Sequence, residues 1–460
     1  MNGRKFLFVS ILFCLLFSGC VRSGILPARP ILADTATLTF TSPSPTSTPT
    51  QTRTPTRTKT PTEESPDVLL ARIVSRLSAE ASRNVLVLVE SRLYYGLEEE
   101  LAVLETDLKN ENWAPVLSTF PVNISGRNLR EALQQIYSQR AYAGVFLVGD
   151  FPYVRMWGYP IENDNQPKAA DYFYMDLDGE WLDTNKDGFY DVHTSGEGDR
   201  DPEIFVGRLS GRNVSFLGES ELDMLKAYFH RNHDYRTGIL PGRNAAVYAA
   251  PAGHHYGWDA PESAWWSQQE IKSMQGLLGS TYVFIFNDTK DPGDAGKWPG
   301  EFWLVGSQAE KTAVPAQERF REIMGEGYDY LSIGIHGWQE SWGSDFFTNK
   351  NVEEVSSAGG KLPVFVVSNS CSTGDISYPN SMGSILTMAG TLVFLGYSAP
   401  SEMRWEEFVY WNASLAALPV GPAFQELQAF ATPSGYGPVV RNVNWILLGD
   451  PTLRLRKAAS

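Results

Sequence analysis

The sequence predicts an α/β fold of doubly wound, mainly parallel sheets arranged in two subdomains. Two observations carry this. Short, nearly continuous apolar runs alternate with amphipathic stretches from about residue 84 onward, the pattern of βαβ units with helices on both faces of a sheet. The alternation restarts after Gly238-Ile-Leu-Pro-Gly-Arg243, a joint marked by Gly and Pro. The expected organisation is an export signal over 1–20, a tether over 21–67, an N-terminal α/β subdomain over 68–240 and a second over 241–460.

The elements follow in order. Asn84-Val-Leu-Val-Leu-Val-Glu90 is an apolar run of the kind a buried parallel strand needs. Gly96 to Asn110 carries helical periodicity with acids at its start, which suits the helix dipole. Val116 to Val122 is a second strand, Ser125 to Gln139 an amphipathic helix opened by Ser125, and Ala143 to Gly149 a third strand. Ile204 to Arg208 and Glu219 to Tyr235 add a strand and a helix. Past the joint come strands at Asn244 to Ala250 and Tyr282 to Asn287, with helices at Glu262 to Leu278 and Pro315 to Gly325. Strands then end at His336 and near Cys371, followed by a helix at Ser381 to Ala389 and a strand at Thr391 to Tyr397. No dinucleotide fingerprint or phosphate loop is present, so no organic cofactor is expected.

The N-terminal region reads as address and spacer. Arg4 and Lys5 precede an apolar stretch from Phe6 to Phe17, too short to cross roughly 30 Å of hydrocarbon as a helix. Leu16-Phe-Ser-Gly-Cys20 resembles the bacterial lipobox, which predicts lipid attachment at Cys20 and a membrane-anchored, extracytoplasmic protein. Residues 41–66 contain ten Thr and six Pro. Such a segment buries little apolar surface and stays extended, spanning roughly 80 Å at ~3.1 Å per residue. The formal net charge is −15, which disfavours nucleic acid, whose phosphates require clustered Lys and Arg.

Three cysteines exist, Cys14, Cys20 and Cys371. Loss of the leader and acylation of Cys20 leave Cys371 as the sole free thiol. It follows the apolar run Pro363-Val-Phe-Val-Val-Ser-Asn-Ser370, and Tyr330-Leu-Ser-Ile-Gly-Ile335 leads into His336-Gly337. In a doubly wound sheet the ligand crevice lies beyond the carboxyl ends of the strands, where both residues fall. A thiol near ~8.5 in pKa is only partly ionised at neutral pH, and a neighbouring imidazole favours the thiolate and later protonates the leaving amine. The polar turn Ser372-Thr-Gly-Asp375 can aim backbone N–H groups at a reacting carbonyl, and Gly337 permits close backbone approach. Singly, Cys371 also reads as a small buried hydrophobe and His336-Gly337 as a strand end.

These residues resemble the catalytic domain of the gingipain-type cysteine peptidases, in the caspase–hemoglobinase group. The carrying segments are Leu331-Ser-Ile-Gly-Ile-His336-Gly337, followed by Trp-Gln-Glu-Ser-Trp342, and Val364-Phe-Val-Val-Ser-Asn-Ser-Cys371, followed by Ser-Thr-Gly-Asp375. Phe146-Leu-Val-Gly-Asp150, Glu203-Ile-Phe-Val-Gly-Arg208 and Leu447-Leu-Gly-Asp-Pro-Thr-Leu-Arg454 resemble further family segments in the same order. The resemblance spans about residues 84–456. It implies a caspase–hemoglobinase-like fold with the catalytic pair in the second subdomain. It also implies Cys371 as nucleophile, His336 as general acid/base, and the N–H groups of Gly337 and Cys371 as oxyanion donors. The family's acids after the first strand of that subdomain have no early glutamate here. Asp259 and Glu262 are the candidates for the specificity pocket, with Trp405 as its wall. His254 and His255 read as loop residues.

Asp183-Thr-Asn-Lys-Asp-Gly-Phe-Tyr-Asp191 matches the start of a calcium loop, with oxygens from Asp183, Asn185, Asp187, the Phe189 carbonyl and Asp191 around a Gly turn. Thr194 stands where an EF-hand has its bidentate Glu, so the loop is not a regular EF-hand. Ten acids between Asp176 and Glu203 would repel one another without a cation. The expected ion is a structural Ca2+; the competing reading is a solvated acidic turn. Together these features predict a cysteine endopeptidase acting on proteins or peptides. The alternatives on the same frame are an inactive binding module or a transpeptidase/sorting enzyme, and, with the thiol merely buried, a calcium-dependent surface adhesin.

Overall fold

The computed structural model describes residues 65–121, 123–157, 166–252, 261–287, 299–400, 405–431 and 444–456. Among these, twelve strands form one sheet. Its N-terminal half runs Phe205–Leu209, Gly144–Val148, Asn84–Glu90, Ala114–Phe120, all parallel. Every residue of Asn84–Glu90 is buried, as two-sided helix coverage requires.

The second half continues the same sheet. Ala245–Ala252 pairs in parallel with Ser280–Asn287 on one side and Tyr330–Ile333 on the other. Phe365–Ser368 and Val393–Tyr397 follow, again parallel. An antiparallel hairpin, Pro299–Leu304 with Glu310–Pro315, finishes that edge beside Ser280–Asn287. The halves meet through the last strand, Trp445–Gly449, antiparallel to Val393–Tyr397 and parallel to Phe205–Leu209. The sheet therefore runs unbroken across the joint expected near residue 240.

The helices begin where their sequences dictate. Ser125 caps Gly126–Gln139, its side chain accepting from Asn128 N–H, and Ser220 does the same for Asp223 N–H at the start of Glu221–Thr237. Each such cap contributes about 1 kcal/mol. Gly238 ends the latter helix in the left-handed region, φ 82°, as glycine allows. A helix at Pro66–Arg76 opens the described chain, starting inside the segment expected as tether. Asn349–Ser357, Trp405–Leu415 and Val420–Ala431 are helices that the sequence reading passed over. None of the described helices is long and apolar enough to cross a membrane.

Candidate active site

Two neighbouring strands deliver the histidine and the cysteine. Tyr330–Ile333 lies beside Phe365–Ser368 in parallel, with Ile333 opposite Ser368. Both strands are wholly buried, and burial pins the register. The chains stay together past the strand ends. Asn369 N–H donates to Ile333 O at 2.8 Å, and Ile335 N–H to Ser370 Oγ at 3.4 Å. His336 and Cys371 thus emerge as adjacent tips on the carboxyl edge of the sheet. His336 is exposed and Cys371 half-buried, so an incoming substrate can reach both. The thiol is not buried core.

Gly337 is the point of closest approach. A Cβ there would stand 2.6 Å from the Cys371 carbonyl oxygen, 2.7 Å from Ser370 Cβ and 2.9 Å from the Cys371 nitrogen. Only a residue without Cβ lets the two tips meet. Gly337→Ala must push either the histidine tip or the cysteine backbone aside. A misplacement of this size costs on the order of 100-fold in rate. Peptide hydrolysis by Gly337→Ala is therefore expected to fall by about that factor. Steady-state kinetics at wild-type activity would contradict the packing.

The histidine tip turns into a small sheet. Gly337–Trp338 pairs with Ser341–Trp342, which pairs with Phe347–Thr348, all antiparallel. Gly343 N–H donates to His336 O at 2.6 Å. Met382 N–H donates to Gln339 O at 2.6 Å, tying this sheet to the helix Met382–Ala389 that follows the cysteine.

The cysteine turn carries strain that the sequence did not announce. Ser372 sits at φ 58°, a left-handed conformation that costs a non-glycine residue on the order of 1 kcal/mol or more. Surrounding hydrogen bonds hold it there. Ser372 N–H donates to Ala399 O at 3.0 Å, Gly374 N–H to Tyr397 O at 2.8 Å, and Gly383 N–H to Thr373 O at 2.9 Å. The strand Val393–Tyr397 with the residues just after it, and the helix Met382–Ala389, thus fix the turn that presents Cys371. Serine has no special preference for φ > 0, so no residue type signalled it.

The expected specificity residues are not placed. Asp259 lies outside the described residues, as do His254 and His255, which were read as loop residues. Glu262 and Trp405 fall in the first turns of the helices Pro261–Leu278 and Trp405–Leu415, where the side chains also lie outside them.

The acidic loop closes a hairpin between Glu180–Leu182 and Val192–Thr194. Asp183 accepts from Asp187 N–H (3.1 Å) and Gly188 N–H (2.9 Å), and Asn185 Oδ1 accepts from Asp187 N–H (3.0 Å). Asp191 accepts from Thr184 N–H and Oγ1–H at 2.9 and 2.6 Å. Lys186 and Gly188 adopt positive φ, 60° and 93°, so the chain curls around its own carboxylates. The donor set suits a hard divalent cation. Beside this hairpin, Asp176, Asp178 and Glu203 bring carboxylate oxygens within 4.8 Å of one another, a grouping the sequence reading did not single out. Burial, with Asp176 and Asp178 nearby, pushes the Glu203 carboxyl up to about 7.

The model of peptidase family C25 matches residues 119–456. None of the curated proteins compared matches the chain. Among solved structures, the chain is similar to the Saccharomyces cerevisiae separase–securin complex at 10% identity and a TM-score of 0.31, covering 54% of this chain and 14% of that one. It is also similar to the lac repressor dimer bound to operator, at 11% identity and TM-score 0.19, over 83% of this chain and 98% of that one. A third similarity, to a LacI-family sugar-binding regulator from Escherichia coli, has 11% identity and TM-score 0.18 over 82% and 100%. These scores are too low to carry an argument. The family match covers both strand tips and the terminal motif, and on it the chain belongs to peptidase family C25, the gingipain family of cysteine peptidases.

Proposed function

We propose that the protein is an exported, lipid-anchored cysteine endopeptidase working through a Cys371/His336 dyad. The observation that carries this reading is the meeting of two adjacent parallel strand tips, with Gly337 against the backbone of Cys371. The Cys371 thiolate attacks the scissile carbonyl carbon, and the carbonyl π electrons move to oxygen. The N–H groups of Cys371 and Gly337 receive the oxyanion, each donor supplying ~3 kcal/mol. Collapse of the intermediate expels the amine, which His336 protonates, leaving a thioester on Cys371. His336 then deprotonates water, which attacks the thioester; the product acid leaves and the thiol returns. Two exposed aromatics, Trp338 and Tyr378, follow the histidine and the cysteine and offer apolar surface to a peptide. A thiol-directed peptidyl electrophile tests the proposal: peptide mapping should locate the adduct on Cys371. Recovery of that peptide unmodified would sink it.

Cys20 is the proposed lipid site, with the Thr/Pro segment holding the peptidase away from an extracytoplasmic membrane face. The acidic balance favours protein or peptide partners over nucleic acid. The Asp183–Asp191 loop is the proposed structural calcium site. Bound calcium would supply the positive charge that its carboxylates lack. Adding a chelator is expected to lower the melting temperature by several degrees, since a ligand of the folded state stabilises it by mass action. In Asp183→Asn that difference should vanish. Identical melting with and without chelator would remove calcium from the account.

A further inference from the structure

Behind the cysteine lies a buried line of hydroxyls that the dyad chemistry does not use. Trp342 Nε1–H donates to Ser368 Oγ at 2.9 Å. Ser368 Oγ and Thr373 Oγ1 are 2.8 Å apart. Thr373 Oγ1–H donates to Ser370 O at 3.2 Å. All four residues are buried. Only one set of proton positions satisfies every member. Thr373 uses its single proton on the Ser370 carbonyl, so Ser368 must donate to Thr373 and in turn accept from Trp342. The result is a one-way relay from an indole N–H to a backbone carbonyl.

That carbonyl belongs to the peptide unit whose nitrogen is Cys371. No cis peptide bond occurs among the described residues. In a trans unit the C=O and N–H point in opposite directions. Fixing Ser370 C=O toward the buried relay therefore fixes Cys371 N–H away from it. The nitrogen itself faces the Gly337 tip, where a Cβ would come within 2.9 Å. Aligned hydrogen bonds also polarise one another in a low-dielectric interior, which makes the N–H a better donor. Trp342 stands on the small sheet that begins at Gly337, next to His336, so the relay links the histidine tip to the cysteine turn.

We propose that Trp342, Ser368 and Thr373 are positioning residues that aim and polarise the Cys371 N–H for the oxyanion of the tetrahedral intermediate. This rests on the peptidase reading above. The test is Thr373→Val, which keeps the side-chain shape and removes the hydroxyl. Four quantities are read: kcat, KM, inhibition by a peptide aldehyde, whose thiol adduct carries the oxyanion, and alkylation of Cys371 by iodoacetamide, which forms none. The expected result is kcat lower by about 10–100-fold and aldehyde affinity weakened in step. KM and the alkylation rate should stay within about twofold of wild type, and Thr373→Ser should recover most of the loss. Ser368→Ala, which breaks the relay one link earlier, is read the same way if Thr373→Val does not fold. Wild-type kcat and aldehyde affinity in the variant would overturn the proposal, as would alkylation falling as far as kcat. A wild-type enzyme whose Cys371 neither alkylates nor supports turnover would instead overturn the peptidase reading itself.

Discussion

Cys371→Ala is expected to lower kcat/KM for peptide hydrolysis by at least about 1,000-fold, the scale on which removing a nucleophile acts when only binding and oxyanion donors remain. His336→Ala should fall nearly as far. The double variant should be scarcely worse than either single one, because a nucleophile and its base act as one unit and their losses do not add. Neither change should disturb the fold greatly. Cys371 is half-buried and His336 exposed, so no large cavity opens. Thermal melting within a few degrees of wild type is the control that separates lost chemistry from lost structure. Hydrolysis persisting in the purified Cys371→Ala protein, with the melting curve intact, would refute the dyad. Additive losses in the double variant would show that the two residues act in separate steps.

Much of this architecture was readable from the chain, and the reason is local. The run Asn84 to Glu90 predicts a strand and forms one with the same bounds, because a two-sided buried strand writes its state into consecutive residues. The strand tips at His336 and Cys371 were readable for the same reason. What stayed hidden depends on contacts between distant segments. That Gly337 touches the Cys371 backbone follows from strand order, which no local pattern encodes. Ser368 lay unremarked within the run before Cys371; its hydrogen bonds to Trp342 and Thr373 form only when distant segments come together. Leu447 to Gly449 read only as the start of a terminal motif, yet they belong to Trp445–Gly449, the strand that joins the sheet halves.

The family-like segments away from the dyad are explained by packing. Arg208, in the Gly-Arg segment, is buried and donates to Asp171 at 2.6 to 3.0 Å and to the carbonyls of Phe151 and Pro152, both at 2.9 Å. Gly207 has no room for a Cβ, which would meet Pro451 Cδ at 2.7 Å. The Gly-Arg and Gly-Asp-Pro segments therefore touch at the seam between the sheet halves. They hold that seam in place, apart from the strand tips of the second half where we propose the chemistry.

Asp450→Ala is accordingly expected to destabilise the fold by about 3–5 kcal/mol, the cost of stripping one partner from a buried ion pair. Asp450 is fully buried. Its Oδ2 accepts from Arg236 Nη2 at 2.7 Å and Asn232 Nδ2 at 3.0 Å, and its Oδ1 accepts from Thr452 N–H at 2.9 Å and Thr452 Oγ1–H at 2.5 Å. Its own N–H donates to Tyr228 Oη at 2.7 Å. The carboxylate thus binds the helix Glu221–Thr237 to the end of the joining strand Trp445–Gly449. Arg236 is equally enclosed and also pairs with Glu111, so losing Asp450 leaves a buried guanidinium with one anionic partner. Asp450→Asn keeps the size but cannot neutralise Arg236, and should cost nearly as much. Charge accounts for the loss more than volume does, so Asp450→Ala combined with Arg236→Met should recover part of it. Denaturant unfolding of wild type, Asp450→Ala, Asp450→Asn, Arg236→Met and the double variant reads this directly. Equal stability of Asp450→Asn and wild type would show that hydrogen bonding, and not the ion pair, holds the seam. A double variant worse than the sum of the singles would mean that packing against Arg236 matters more than its charge.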